Sequence, residues 1–361
     1  MKTAVVSLLL SLTFIGAVVA ETPLVKATAT KTAAATAAEP KGQFELFSTA
    51  PSLQKSRSCF SGPYQSYDSF MAMRIKMGKN QPKFSEATLR AELPKAKFEL
   101  FQQTLDCQDF VYRVGDVPVR GFMIKPKQIS GKAPVVIYNR GGNGDYGKLT
   151  FSFVMNNLMP VAEQGFVILA SNYRGQHNWN QNSGVKAGFD EFGGADLEDV
   201  KALLPIAQGM KQADANRLGM WGHSRGGMMT YMLAKSMPEL KTIVVGAGPT
   251  DFAKELELRP KLEQVLYERV PNYSANKAAA LKERSVLLWP ELLPAQLPIL
   301  IQHGDKDKHV PVTSSEQLSM KLKALQHPHK LLIYPGADHG FNPVRAKAQQ
   351  DRINWLKQYL G

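Results

Sequence analysis

Ser224 stands between Gly222 and Gly226 in the run Arg217-Leu-Gly-Met-Trp-Gly-His-Ser-Arg-Gly-Gly-Met-Met, where a short apolar stretch gives way to a helical one. A nucleophilic serine needs that setting. A sharp strand-to-helix turn projects its Oγ into a cleft, and the helix N-terminus behind it offers backbone N–H groups to a developing oxyanion. A side chain at 222 or 226 would collide with its neighbours at such a turn, which accounts for both glycines. The pattern is weak alone. With 28 glycines in 361 residues, it arises by chance in roughly one such chain in seven.

Its weight comes from downstream. A serine nucleophile requires a base within reach and an acid that fixes the base's tautomer; on a strand–turn–helix serine of this kind the expected chain order is Ser, Asp or Glu, His. His339 lies in Pro335-Gly-Ala-Asp-His-Gly-Phe, a glycine-flanked loop after an apolar run that ends at Tyr334. Open α/β sheets place their ligands at such strand ends. The segment His303-Gly-Asp-Lys-Asp-Lys-His-Val-Pro follows another apolar run and holds two acids, Asp305 and Asp307, both of which qualify. Asp338 is a poor candidate, because adjacent side chains on a loop diverge. His177, His223, His303, His309, His327 and His329 read as structural or surface groups, without the spacing of zinc ligands.

These residues need a scaffold, and the chain supplies its pattern. Phe110-Val-Tyr-Arg-Val, Gly115-Asp116 and Val119-Arg-Gly-Phe-Met-Ile predict a β-hairpin. Then come Pro134-Val-Val-Ile-Tyr, Gly165-Phe-Val-Ile-Leu-Ala, Leu218-Gly-Met-Trp, Thr242-Ile-Val-Val-Gly, Pro298-Ile-Leu-Ile-Gln and Lys330-Leu-Leu-Ile-Tyr. Apolar runs without alternation are what parallel strands covered on both faces require. Helical spacing fills the gaps. Leu197, Val200, Leu203 and Leu204 share one face; Leu318, Leu322 and Leu325 share another after a cap at Ser314 or Ser315. A last helix is expected to open at Asn342-Pro343 and present Ile353, Leu356 and Leu360. The alternation predicts an α/β fold with a doubly wound, mostly parallel sheet. Residues 43–105 add a short N-terminal helical segment, with helices near 67–76 and 85–93, and residues 249–296 form a small helical cap insertion. No repeat has the period of a propeller.

The N-terminus reads as a secretory signal over residues 1–20: Lys2 for charge, an apolar core from 5 to 19, and Val18-Val19-Ala20 before Glu21. The core is too short for a stable membrane anchor. Residues 21–42, rich in Ala, Thr and Lys, read as a flexible linker before a catalytic region at 106–361. The expected location is periplasmic or extracellular, where Cys59 and Cys107 can bridge; two unpaired thiols are the alternative. The apolar fraction of 44% suffices for a sizeable core. A net charge of +13 spread along the whole chain indicates a basic solvated surface and not a nucleic-acid partner.

From about residue 110 onward the chain resembles the catalytic domain of the prolyl oligopeptidase family of serine peptidases. The resemblance rests on Gly-His-Ser-Arg-Gly-Gly at 222–227 and His-Gly-x-x-Asp-x-x-Val-Pro at 303–311. Asn172-Tyr-Arg-Gly and Phe192-Gly-Gly-Ala-Asp-Leu-Glu-Asp add to it. It implies an α/β-hydrolase fold, assigns the acid to Asp307, and makes the Tyr-Arg-Gly and Gly-Gly-Ala-Asp segments scaffold. Three features depart from the family. The chain has no room for the propeller that often precedes the catalytic domain. Asn139-Arg-Gly-Gly stands where His-Gly-Gly or a tyrosine turn is common. Nothing matches the paired glutamates with which dipeptidyl-peptidase relatives hold a free N-terminus.

The expected chemistry is acyl transfer without a metal or organic cofactor. Ser224 attacks a carbonyl, His339 carries the proton, and Asp307 orients the imidazole. The N–H of Arg225 and a donor from Arg140, Gly141 or Gly142 hold the oxyanion. The Arg140 side chain either adds charge there or is spent on a salt bridge. The substrate is a peptide, with a small carboxylic ester as the alternative, since both use the same groups. A binding protein on a retired hydrolase scaffold would have lost a member of the set, and all three are present. Oligomeric state leaves no mark on the sequence.

Overall fold

The computed structural model describes residues 46–175 and 188–361, which belong to one compact unit. The expected signal peptide and linker lie outside the described residues, as does His177.

In chain order, β1 (Leu53–Ser58) precedes α1 (Tyr67–Gly78), α2 (Glu86–Glu92) and α3 (Lys95–Thr104). The hairpin β2 (Leu105–Val114) and β3 (Val117–Pro126) follows, turning at Gly115 and Asp116 as predicted, with Gly115 at φ 57°. Next come β4 (Ala133–Asn139), α4 (Phe151–Phe153), α5 (Met159–Ala162), β5 (Val167–Ser171), α6 (Asp196–Lys201) and α7 (Leu203–Gln208). The catalytic half continues with β6 (Ala213–His223), α8 (Arg225–Ala234) and β7 (Leu240–Gly246). The cap insertion is α9 (Phe252–Leu258), α10 (Lys261–Arg269) and α11 (Tyr273–Glu283). Last are β8 (Ile299–Gly304), α12 (Val312–Ala324), β9 (His329–Tyr334) and α13 (Arg345–Leu360).

One nine-stranded sheet runs in the order β1-β2-β3-β5-β4-β6-β7-β8-β9. From β5 through β9 every pairing is parallel, and β1, β2 and β3 join antiparallel at one edge. Both faces are covered, which is why β4 shows no alternation. Val135 and Ile137 enter the core under α8, while Val136 and Tyr138 enter the core under α1, α3 and α13. This is the doubly wound, mostly parallel α/β-hydrolase sheet.

Four local expectations are corrected. The strand β1 has no apolar run, because an edge strand reading LQKSRS buries little; the N-terminal segment is therefore not purely helical. The helix α12 starts at Val312 after Pro311, and neither serine caps it. Ser314 Oγ donates to Glu255 Oε1 (3.3 Å), and Ser315 Oγ bonds His303 Nδ1 (2.7 Å). Leu318 and Leu322 are buried, but Leu325 is exposed past the helix end. The helix α13 opens at Arg345, since Asn342 belongs to the preceding loop, where its N–H and side-chain amide donate to Asp338. Ile353, Leu356 and Leu360 are buried as expected.

Cys59 and Cys107 form a disulfide with Cα atoms 5.3 Å apart. Cys59 follows β1 directly and its N–H donates to the Cys107 carbonyl (2.8 Å). The bridge thus clamps the edge strand to β2.

Candidate active site

The parallel strands end on one side of the sheet, and the residues singled out above hang from those ends. Ser224 joins β6 to α8 at φ 57°, ψ −127°, a conformation that costs a side-chain-bearing residue about 1–3 kcal/mol. The turn is held by the Ser224 N–H to the Gly246 carbonyl (2.8 Å) and the Gly227 N–H to the Ser224 carbonyl (2.8 Å). It closes only with glycine on both sides. A Cβ at 222 would run into the Gly226 carbonyl and Thr230 Oγ1, and one at 226 into the Asn139 carbonyl.

His339 follows β9, and its Nδ1 lies 2.7 Å from Asp307 Oδ2. Asp307 follows β8 with its side chain shut off from solvent. Oδ1 accepts the N–H groups of His309 (2.8 Å) and Val310 (3.0 Å), and His303 Nε2 lies 3.2 Å from Oδ2. Burial works against charge on this carboxyl. The donors from His303 and His339 and the Val310 N–H outweigh it, and hold its pKa well below the carboxylate range. Asp305 does different work: its Oδ1 accepts the Gly336 N–H (2.7 Å), tying the two loops together. Asp338 turns into its own loop, accepting from Gly340 and Asn342. With Nδ1 facing Asp307, His339 keeps Nε2 for the cleft, which it lines together with Ser224. A serine, an imidazole held in one tautomer and a carboxylate in that arrangement can perform general-base-assisted acyl transfer.

Three histidines read as bystanders surround this pair. The rings of His223 and His309 lie 4.9 Å and 5.1 Å from that of His339, the first tilted and the second edge-on to it. Burial, helped by charge on His339, pushes His223 down to about 3, so it stays neutral. His303 is buried between Asp307, Ser315 and the Val310 carbonyl (3.0 Å from Nε2). A carbonyl only accepts, so Nε2 carries a proton. The signal available in the sequence is the His-Gly-x-x-Asp motif itself, which carries both residues in one short segment. His327 and His329 do read as structural: their ring nitrogens bond the Pro294 carbonyl and Ser319 Oγ.

The Arg140 side chain is not a free donor. It is fully buried, and its five N–H groups go to the carbonyls of Gly141, Gly144, Tyr146 and Asn172, the last taken twice. It shapes the 141–146 loop, where Gly142 has φ 72° and Gly141 packs so close to the serine that an added Cβ would lie 3.2 Å from Ser224 Cβ. The backbone of Gly141 and the start of α8 at Arg225 thus both lie beside Ser224.

The Arg225 side chain is also committed. It pairs with Asp190 (2.6 and 2.7 Å) and Asp196 and donates to the Gly142 carbonyl (2.9 Å). Burial alone would raise the Asp190 pKa, but Arg225 holds it at about 2. Asp196 also accepts the Gly193 and Gly194 N–H groups, Asp199 binds Arg174 (2.7 Å), and Tyr173 Oη donates to the Arg140 carbonyl (3.0 Å). The Tyr-Arg-Gly and Gly-Gly-Ala-Asp segments are scaffold.

The cleft holding Ser224 and His339 has a volume of about 160 Å³. A larger pocket of about 430 Å³, bordered by Arg57, Arg120 and Phe122, shares no residue with it. The smaller one contains the strained serine. Among the described residues no histidine, cysteine and carboxylate group gathers as a metal site, and no helix is long and apolar enough to cross a membrane.

Residues 151–361, more than half of the chain, match the prolyl oligopeptidase family. The chain belongs to that family. Its members are serine hydrolases. Two relatives are uncharacterized peptidases of Bacillus subtilis. YuxL is 26% identical over 268 residues, spanning 68% of this chain and 37% of that protein. YtmA is 26% identical over 265 residues, spanning 73% of this chain and 98% of that protein. The chain thus corresponds to about a third of one relative and nearly all of the other. Among solved structures, acylaminoacyl peptidase from Pyrococcus horikoshii superposes with a TM-score of 0.59 at 22% identity, over 73% of this chain and 43% of that one. That likeness concerns the α/β-hydrolase fold.

Proposed function

We propose that the chain is an exported serine peptidase that works through an acyl-enzyme on Ser224. His339 takes the serine proton as Oγ attacks the scissile carbonyl and returns it to the leaving amine. Asp307 keeps the imidazole's Nδ1–H inward and balances the imidazolium that forms. The N–H groups of Arg225 and of Gly141 or Gly142 receive the oxyanion. The observation that carries this reading is the 2.7 Å His339–Asp307 bond beside a serine at φ 57° in one cleft. Family membership supports peptide bonds as the target. Export is supported by the charged-apolar-small order of residues 1–20 and by a disulfide that persists only in oxidising surroundings.

The test is labelling of the purified protein with a fluorophosphonate, followed by matched p-nitroanilide and p-nitrophenyl ester panels. The expected result is one label on Ser224, absent from Ser224→Ala, and turnover of anilides. An unlabelled folded protein would remove the mechanism. Turnover of esters with no anilide cleaved would make the chain an esterase.

A further inference from the structure

Three arginines approach the cleft, and they are not equivalent. Arg140 and Arg225 spend their guanidinium groups on internal carbonyls and carboxylates. Arg259, the residue that ends α9 in the cap insertion, lines the cleft with Ser224 and His339 and keeps 31% of its side chain exposed. Behind it lies Glu255, one turn back and 1% exposed. Glu255 Oε2 accepts from Arg259 Nε (3.1 Å) and Nη2, while Oε1 accepts from Ser314 Oγ. The carboxylate therefore grips one edge of the guanidinium and points the other into the cleft. Arg259 Nη1 has no protein acceptor among the described residues.

What surrounds that edge is one-sided. The wall contains Phe192, Pro249, Phe252, Leu262 and Val310, and no Asp or Glu is among the lining residues. Apolar surroundings strengthen a charge-assisted hydrogen bond, and a planar fork of N–H groups matches a carboxylate. A net charge of +13 over the chain adds a field of the same sign. An ion pair with only a structural purpose has no reason to present its cation to the nucleophile's cleft.

We propose that Arg259 selects substrates carrying a carboxylate within one residue of the scissile bond. This rests on the hydrolase reading above and names its substrate class. The cleft, about 160 Å³, has room for a single side chain beside the serine. The carboxylate has two sources: an acidic side chain on the residue that donates the acyl group, or the free C-terminal carboxylate of the leaving residue.

The experiment compares two panels on the whole protein. N-acetylated peptide p-nitroanilides ending in Glu, Asp, Gln or Leu test the acidic side chain. Acetylated tripeptides with a free or amidated C-terminus test the terminal carboxylate. The expected result is a kcat/KM ratio of roughly 10- to 100-fold for the anionic member of at least one matched pair, the worth of a hydrogen bond to a charged group. Arg259→Gln leaves Glu255 without its counter-charge, so the double variant Arg259→Gln/Glu255→Gln is measured beside it; in the double variant the ratio falls to about one. Equal rates on matched pairs in the native protein, or an undiminished ratio in the double variant, would overturn the proposal. Either result leaves the hydrolase reading standing, because fluorophosphonate labelling of Ser224 reports on that separately.

Discussion

Replacing Asp307 by Asn keeps the shape of the acid and reverses one of its hydrogen bonds. The backbone donors at His309 and Val310 converge on Oδ1, and only an amide oxygen can receive them. The amide nitrogen must then occupy the place of Oδ2, facing His339 Nδ1 at 2.7 Å and His303 Nε2 at 3.2 Å. An NH₂ group donates, so His339 must offer Nδ1 as an acceptor. Its proton moves to Nε2, the atom that has to accept from Ser224, and the base is lost with every residue still in place. Swapping the tautomer of a triad histidine lowers kcat by about 10⁴, or about 5.5 kcal/mol of transition-state stabilisation. The rate of fluorophosphonate labelling reads this without knowledge of the substrate, and thermal melting shows whether the fold survives. Asp305→Asn is the control: its amide oxygen still receives the Gly336 N–H, and labelling is expected to stay within about threefold of native. A folded Asp307→Asn protein labelled within tenfold of the native rate would refute the tautomer argument.

Three other outcomes are expected. Arg140→Ala leaves four carbonyls without their donor, those of Gly144 and Asn172 in buried surroundings, while Asp190 keeps Arg225 as its partner. It should destabilise by about 2–6 kcal/mol in urea titration, the cost of two unsatisfied buried acceptors, with lost activity tracking lost fold and not a selective fall in kcat. Cys59→Ala/Cys107→Ala opens a loop whose ends are 48 residues apart, worth up to about 4 kcal/mol by chain entropy; melting should drop by several degrees while labelling of Ser224 at 25 °C holds. His223 is neutral when folded, with its pKa near 3, and protonates near 6.5 when unfolded. The unfolded state then binds the extra proton between those values, so stability falls as pH drops through that window, by at most about 1.4 kcal/mol per unit. Urea titrations of His223→Gln from pH 6.5 to 4 should show a shallower decline.

The elements easiest to read were those in which chain stereochemistry alone dictates the outcome. Runs such as Pro134-Val-Val-Ile-Tyr announce strands covered on both sides, because they are short, rich in β-branched residues and apolar without alternation. The edge strand β1 escaped notice for the complementary reason: its pairing with β2 is made by backbone atoms, which every residue carries. Helix starts expected at Ser314 or Ser315 and at Asn342 fall elsewhere, because the two serines bond side chains distant in the chain and Asn342 bonds Asp338 within its own loop.

By itself the sequence determined the serine elbow and the loop histidine. The first follows from a short-range rule, glycines where a Cβ has no room, and the second from its place on a glycine-flanked loop at a strand end, in the chain order of the α/β-hydrolase fold. Tertiary structure alone decided the rest. Asp305 and Asp307 are two residues apart and chemically identical; the family motif singled out Asp307, but the physical reason is the placement of β8 beside β9, which turns it toward His339, 32 residues on, and Asp305 toward Gly336. Arg140, Arg225 and Arg259 are the same residue type near one cleft. Arg140 is consumed by carbonyls of its own loop and by that of Asn172, 32 positions on, and Arg225 by Asp190, 35 positions back, while the third meets Glu255 one turn away and keeps an edge free. A charge acquires its role from the partners that burial forces on it, and the chain must fold before those partners are chosen.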